Sequence, residues 1–192
     1  MADAPQAVPH GDALLHPPAP SGTHEIGWKA LLKPSLLIAV LVIVVLDQAT
    51  KAMIGASIPM YESVTIIPGL LDFTHVRNTG AAFGLLNTTD LPMKSFVMIL
   101  MAIVAIVAIG AYGATLRADE NIARAGLSLV LGGALGNLID RARLGYVLDF
   151  VDVYSGNWHF WAFNVADAAI SVGAVLVIVD LLGLRRHASN PV

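Results

Sequence analysis

The sequence predicts a mainly α-helical integral membrane protein, with four transmembrane helices and a small β-rich segment outside the lipid core. Three observations predict it. Of 192 residues, 56% are hydrophobic and only 13% are charged, against about 45 to 50% apolar in an average soluble domain. Four apolar stretches, at about residues 35–54, 95–116, 122–141 and 163–184, each approach the ~20 residues that cross a bilayer. Between the first two, at about residues 57–84, the texture turns β-branched and aromatic in partial alternation. The length suits one compact domain, residues 28–184, with modest loops.

In chain order, residues 1–27 carry Pro5, Pro9, Pro17, Pro18 and Pro20 among scattered His10, His16 and His24, with no apolar period. They cannot bury a core and read as a flexible tail. Residues 35–46, after Lys29 and Lys33, have the length of a signal-peptide apolar core. Since three further spans follow, the segment is more economically a first helix, continuing through Asp47, Gln48 and Lys51 to about Ile54. Tyr61, Val64 and Ile66, then Leu71, Phe73 and Val76, flank the turn signal Pro68-Gly69 and predict a hairpin or curved sheet. Residues 95–116 are uncharged and form the clearest span. A polar link with Arg117, Asp119, Glu120 and Arg124 leads to the third, where Gly132 and Gly136 stand at the spacing that lets membrane helices approach closely. Residues 142–161, with Asp149, Asp152, Trp158, Phe160 and Trp161, suit a short helix or loop at the interface, where aromatic rings anchor. The fourth span carries Asp167 near its start and closes on Arg185, Arg186 and His187, cytoplasmic anchors of the tail 185–192.

An even number of spans puts both termini on one side, taken here as the cytoplasm. Lys29, Lys33, Arg117, Arg124, Arg185 and Arg186 then lie inside, against Lys51, Arg77, Lys94, Arg141 and Arg143 outside. A net charge of -3 without a Lys/Arg run argues against nucleic acid as a partner. The absence of cysteine excludes disulfides, a thiolate nucleophile and thiolate-bound metal. Chemistry must come from oxygen or nitrogen groups.

A carboxylate at the bilayer centre costs on the order of 2.5–3.5 kcal/mol, so one kept inside or at the rim of a span is a functional candidate. Asp47, Asp140, Asp149 and Asp167 qualify, each toward the outer end of a span or in the adjoining segment. Lys51, Asn78, Asn137, Arg141 and Asn164 accompany them. Two carboxylates a few ångströms apart share one proton. The ionised member can take a proton from an attacking water while the protonated one donates to a scissile carbonyl. No metal or cofactor is required.

Five blocks then appear in order: Asp47-Gln48-Ala49-Thr50-Lys51; Arg77-Asn78-Thr79-Gly80-Ala81-Ala82-Phe83-Gly84; Gly132-Gly133-Ala134-Leu135-Gly136-Asn137-Leu138-Ile139-Asp140-Arg141; Gly145-Tyr146-Val147-Leu148-Asp149-Phe150; and Phe163-Asn164-Val165-Ala166-Asp167. Together they resemble the signature blocks of the lipoprotein signal peptidases (signal peptidase II), over about residues 33–184. The resemblance implies a four-helix inner-membrane aspartyl endopeptidase with a periplasmic β-cradle and a short extracytoplasmic interfacial helix. It implies cleavage before the diacylglyceryl-modified cysteine of a prolipoprotein lipobox, contact with membrane lipids and inhibition by globomycin-type depsipeptides; a monomer is the separate expectation for assembly. Nothing is implied for the Pro-rich tail.

Asp140 and Asp149 both precede Asp167 at plausible distances for a pair. Asp149 with Asp167 is the expected choice, because Val147, Leu148, Phe150 and Val151 surround Asp149 with apolar neighbours that favour a neutral carboxyl. Asp140 stands beside Arg141 and Arg143 and reads as structural, holding Arg141 or a helix end. The family pattern agrees. Asn78, Asn137, Arg141, Asn164 and Gly80 are expected to support substrate and dyad, although buried amides also serve as glue between membrane helices. Asp47 and Lys51, at the i, i+4 spacing of an ordinary ion pair, fit structure as well as catalysis. His75, His159, Met98 and Met101 receive no site role. A transporter would want an inverted repeat, and a presenilin-type protease a GxGD block; neither is present.

Overall fold

The computed structural model describes residues 34–80, 94–116 and 120–183. The tails 1–27 and 185–192, Lys29, Lys33, Asp90, Arg117, Asp119 and the end of the Asn78 block at 81–84 lie outside them. The elements are α1 (Pro34–Ser57), β1 (Ser63–Ile67), β2 (Leu71–Asn78), α2 (Lys94–Thr115), α3 (Asn121–Leu144), β3 (Val147–Ser155), β4 (Trp158–His159) and α4 (Val165–Leu181). Pro34–Ser57, Ser95–Thr115 and Asn121–Leu144 are long and apolar enough to cross a membrane, with mean hydropathies of 2.1, 2.6 and 1.5. The fourth helix, of 17 residues, measures roughly 25 Å at the α-helical rise.

The least apolar of the three long helices, α3, is also the most buried, because it packs against α1, α2 and α4. Its glycines explain how. A Cβ on Gly132 would lie 2.8 Å from Ile43 Cβ, and one on Gly136 would lie 2.6 Å from Asp47 Oδ2, so both face α1. Gly133 and Gly126 turn to α4, where a Cβ would collide with the carbonyl oxygens of Ala166 and Gly173. The Gly132/Gly136 spacing thus serves the approach of α1, and a second pair, Gly126 and Gly133, serves α4. With side chains that small, backbones come within van der Waals contact, the main source of helix association in lipid. The apolar side chains of α1 and α2, among them Leu41, Val45, Val104 and Val107, point outward where lipid would meet them.

Four antiparallel strands form one sheet in the order β1-β2-β3-β4. Residues 142–161 therefore correct the expectation of an interfacial helix or loop: α3 runs on to Leu144, and most of the remainder is strand. Gly145 makes this possible by ending α3 at a left-handed φ of 79°, a conformation that is cheap only for glycine. Val147, Leu148, Asp149 and Phe150 are all buried, so both faces of the strand are covered and the usual alternation is missing. Its partner β2 lies two helices away in the chain, which hides the pairing from local inspection. Ile54 and Ile58, at the end of α1, pack with Leu148 and Phe150 and fasten the sheet to the bundle. A second cluster, Leu116, Ala123 and Leu127, closes α2 against α3 at the opposite end.

Candidate active site

Five elements, α1, β2, α3, β3 and α4, meet where the sheet joins the bundle, and each delivers polar groups. One helical turn of α1 carries Asp47, Gln48 and Lys51, with Asp47 fully buried and Lys51 5% exposed. The ammonium of Lys51 lies 2.8 Å from Asp47 Oδ2 and 2.9 Å from Asp140 Oδ2, and it donates to Asn137 Oδ1 at 3.0 Å. All three of its hydrogens thus have acceptors, which is what makes two carboxylates and a cation tolerable out of water. Of the two partners expected for Asp140, Arg141 or a helix end, Arg141 is not the one: Asp140 holds Lys51 and a backbone amide just beyond the end of α3. Gln48 donates to Asp140 Oδ1 at 2.9 Å.

This cluster also grips the backbone beside both remaining aspartates. The amide of Leu148 donates to Asp140 Oδ2 at 3.2 Å, and that of Ala166 donates to Asp47 Oδ1 at 2.9 Å. Leu148 immediately precedes Asp149, and Ala166 immediately precedes Asp167.

Two asparagines connect the carboxylates. Asn164 is the N-cap of α4; its Oδ1 accepts from the Asp167 N–H at 2.9 Å, which fixes the amide so that Nδ2 donates to Asp149 Oδ1 at 2.6 Å. Asn137 is fixed in the same way, since its Oδ1 takes the Lys51 ammonium while its Nδ2 donates to Asp167 Oδ1 at 2.8 Å. The two amides touch as well, with Asn164 Nδ2 3.3 Å from Asn137 Oδ1. From β2, Asn78 Nδ2 donates to Asp149 Oδ2 at 2.9 Å, and Gly80 N donates to Asn78 Oδ1 at 3.0 Å. Arg141 donates to the carbonyls of Gly80 and Asn137 at 3.3 and 3.4 Å. All ten residues singled out in the sequence therefore belong to one connected hydrogen-bonded set. Gln48 and the two backbone amides are the members not singled out; an uncharged polar residue beside Asp47 inside an apolar helix was the available signal.

Burial lifts the Asp149 carboxyl to about 7, with the charge of Asp167 adding to the rise. Bonds from Asn78 and Asn164 and the charge of Lys51 oppose it without cancelling it. A carboxyl so placed exchanges a proton near neutral pH, the property wanted of a general acid or base. Asp149 and Asp167 line one cavity of about 700 Å³ together with Asn78, Asn137 and Arg141. Its remaining walls are mostly apolar, including Met98 and Met101 of α2, Ile170 and Val172 of α4, and Phe160 and Trp161. The cavity thus joins a polar floor to a greasy flank. Among the described residues no group of three His, Cys, Asp or Glu is placed to hold a metal ion.

Comparison with known proteins bears on the same residues. The protein family described as signal peptidase (SPase) II matches residues 39–183. A lipoprotein signal peptidase of Geobacter sulfurreducens is 46% identical over 143 residues, covering 74% of this chain and 88% of that protein. Another, of Pseudomonas paraeruginosa, is 45% identical over 154 residues, covering 80% of this chain and 90% of that one. Among solved structures, a bacterial membrane enzyme superposes with a TM-score of 0.67 at 30% identity, covering 79% of this chain and 94% of its own.

Proposed function

The chain belongs to the signal peptidase II family, and on that premise we propose that it is a membrane-embedded aspartyl endopeptidase acting on diacylglyceryl-modified prolipoproteins. It removes the signal peptide by cutting before the lipidated cysteine of the lipobox. Asp149 and Asp167 form the catalytic pair. One observation carries this reading: both carboxylates face a common cavity, each held by an asparagine amide that the other asparagine contacts.

The hydrolysis follows from a pair that shares one proton. Asp149, protonated up to about pH 7, donates to the carbonyl oxygen of the scissile peptide. Asp167 takes a proton from a water whose oxygen bonds to the carbonyl carbon, giving a gem-diol. In the second step Asp149 recovers a proton from the diol as Asp167 gives its own to the nitrogen. The C–N bond breaks, releasing an acid and a free amine, and the pair returns to its starting state. Asn78 and Arg141 line the cavity; the Asn78 amide is taken up by Asp149 and Gly80, so the Arg141 guanidinium is the group that holds the substrate backbone. The apolar wall between α2 and α4 suits a signal helix arriving from lipid, with the acyl chains left in the membrane and the sheet clamping the lipobox from above.

In this reading α4 is the fourth span, the site lies at the periplasmic face of a bacterial inner membrane, and both termini are cytoplasmic. The enzyme works as a monomer without cofactor, and globomycin-type depsipeptides occupy the same cavity. The test is to incubate the purified protein with a lipid-modified prolipoprotein and follow the signal-peptide product. Asp149→Asn and Asp167→Asn should each lower turnover by about 10³-fold or more with the helical circular dichroism unchanged. Full turnover by either variant would overturn the pair.

A further inference from the structure

Which way Asn78 points is decided by an irregularity in β2. Phe73 pairs with Val151 and Val76 pairs with Asp149, so a three-residue step on β2 is matched by a two-residue step on β3. The extra residue is a β-bulge. It places Val76 and Asn78 on the face of Asp149; in an unbroken ladder Asn78 would fall on the opposite face and Arg77 would take its position.

Thr74 and His75 occupy the bulge, and both are tied to the chain leaving α1. Thr74 Oγ1 donates to the Glu62 carbonyl at 3.2 Å. His75 N donates to the same carbonyl at 3.1 Å, and the carbonyl of His75 accepts from Tyr61 N at 2.8 Å. The imidazole, 8% exposed, holds the remaining anchor: its Nδ1 lies 2.8 Å from the carbonyl oxygen of Ile58, just past the end of α1. A carbonyl only accepts, so Nδ1 carries the hydrogen. The ring lies beside Gly55, where a Cβ would stand 4.0 Å from His75 Cε1.

We propose that His75 is a positioning residue for peptide cleavage, fixing the β2 bulge against the end of α1 and thereby aiming the Asn78 amide at Asp149. This rests on the assignment of Asp149 to the catalytic pair. His75 reaches no reacting atom; it acts through Asn78, whose Oδ1 is already engaged by Gly80 N and whose Nδ2 is left for the carboxylate.

The experiment is a double-mutant cycle of His75→Ala and Asn78→Ala in the full chain, with prolipoprotein cleavage resolved into kcat and KM over pH 5–9. Each single variant should lose about 10- to 100-fold in kcat, the worth of a hydrogen bond to a charged group, with little change in KM. The double variant should be no slower than Asn78→Ala alone. The alkaline limb of the kcat profile should move upward alike in both, because each removes a bond that favours ionised Asp149. Asp167 from α4, Lys51 from α1 and Arg141 from α3 face that group too and stay in place. His75→Asn, which keeps a donor near the Nδ1 position, should recover most of the rate, whereas His75→Gln should not; this contrast stands even if His75→Ala fails to fold. Effects that multiply in the double variant, or equal rates for His75→Asn and His75→Gln, would overturn the proposal while leaving Asp149→Asn inactive. Full turnover by Asp149→Asn would instead remove the catalytic assignment and this proposal with it.

Discussion

The two ends of the bundle each bury one cation, and they treat it differently. At the sheet end, Lys51 gives hydrogens to Asp47, Asp140 and Asn137, and its cluster binds the backbone beside Asp149 and Asp167. At the other end Arg124, 3% exposed, donates from Nη2 to the Leu116 carbonyl at 3.0 Å, while its Nε and Nη1 have no hydrogen-bond partner among the described residues. Its neighbours are Leu116, Leu127, Ser128 and the apolar start of α1. Burial alone therefore does not distinguish the two cations. Connectivity does: one is wired to several elements, and the other caps the end of a single helix, where positive charge is favourable.

The sharpest way to break this contrast is Lys51→Met. It strands two buried carboxylates without their cation and should destabilise the fold by about 3–5 kcal/mol, read by denaturation in detergent micelles. Cleavage should fall with it. Combining Lys51→Met with Asp140→Asn should recover part of that stability, because one of the stranded charges is then gone.

An intermediate effect is expected from pH. Asp149 titrates near 7 in the fold and near 4 when unfolded, so the folded state favours its neutral form. Its contribution to stability is present below about pH 4 and is lost as pH rises through about 7. Asp149→Asn should flatten the thermal-stability profile between those values, whereas an unchanged slope would assign the titration elsewhere. Smallest is Arg124→Met, which removes one capping bond and one poorly satisfied cation. The opposed terms should leave stability within about 1 kcal/mol and turnover unaltered. A large loss of cleavage would erase the distinction between the two ends.

The same contrast explains what could be read from the chain. Membrane helices announce themselves through long uncharged runs, and Asp47, Asn137 and Asp167 stand out because polar groups are costly in such runs. The hairpin around Pro68-Gly69 was legible from turn chemistry and alternation. Strand β3 was not, because Val147 to Phe150 are covered on both faces and their partner is separated by two helices. For the same reason the bulge at Thr74 and His75 was invisible, and His75 looked like an isolated imidazole. The bonds of Asp140 could not be chosen by proximity in sequence: Arg141 is adjacent, but Lys51 on another helix is the partner. Local pattern thus reveals which groups are expensive, and only the long-range pairing reveals what they are connected to.

The order of strands in the sheet bears on how such an enzyme comes into being. β2 emerges from the ribosome well before β3, with α2 and α3 made in between, and Asp167 follows later still. While synthesis is under way, neither strand has its neighbour and neither carboxylate has its companion. Under the proposed pairing of Asp149 with Asp167, a nascent chain interrupted anywhere before α4 lacks one of its two reacting carboxylates.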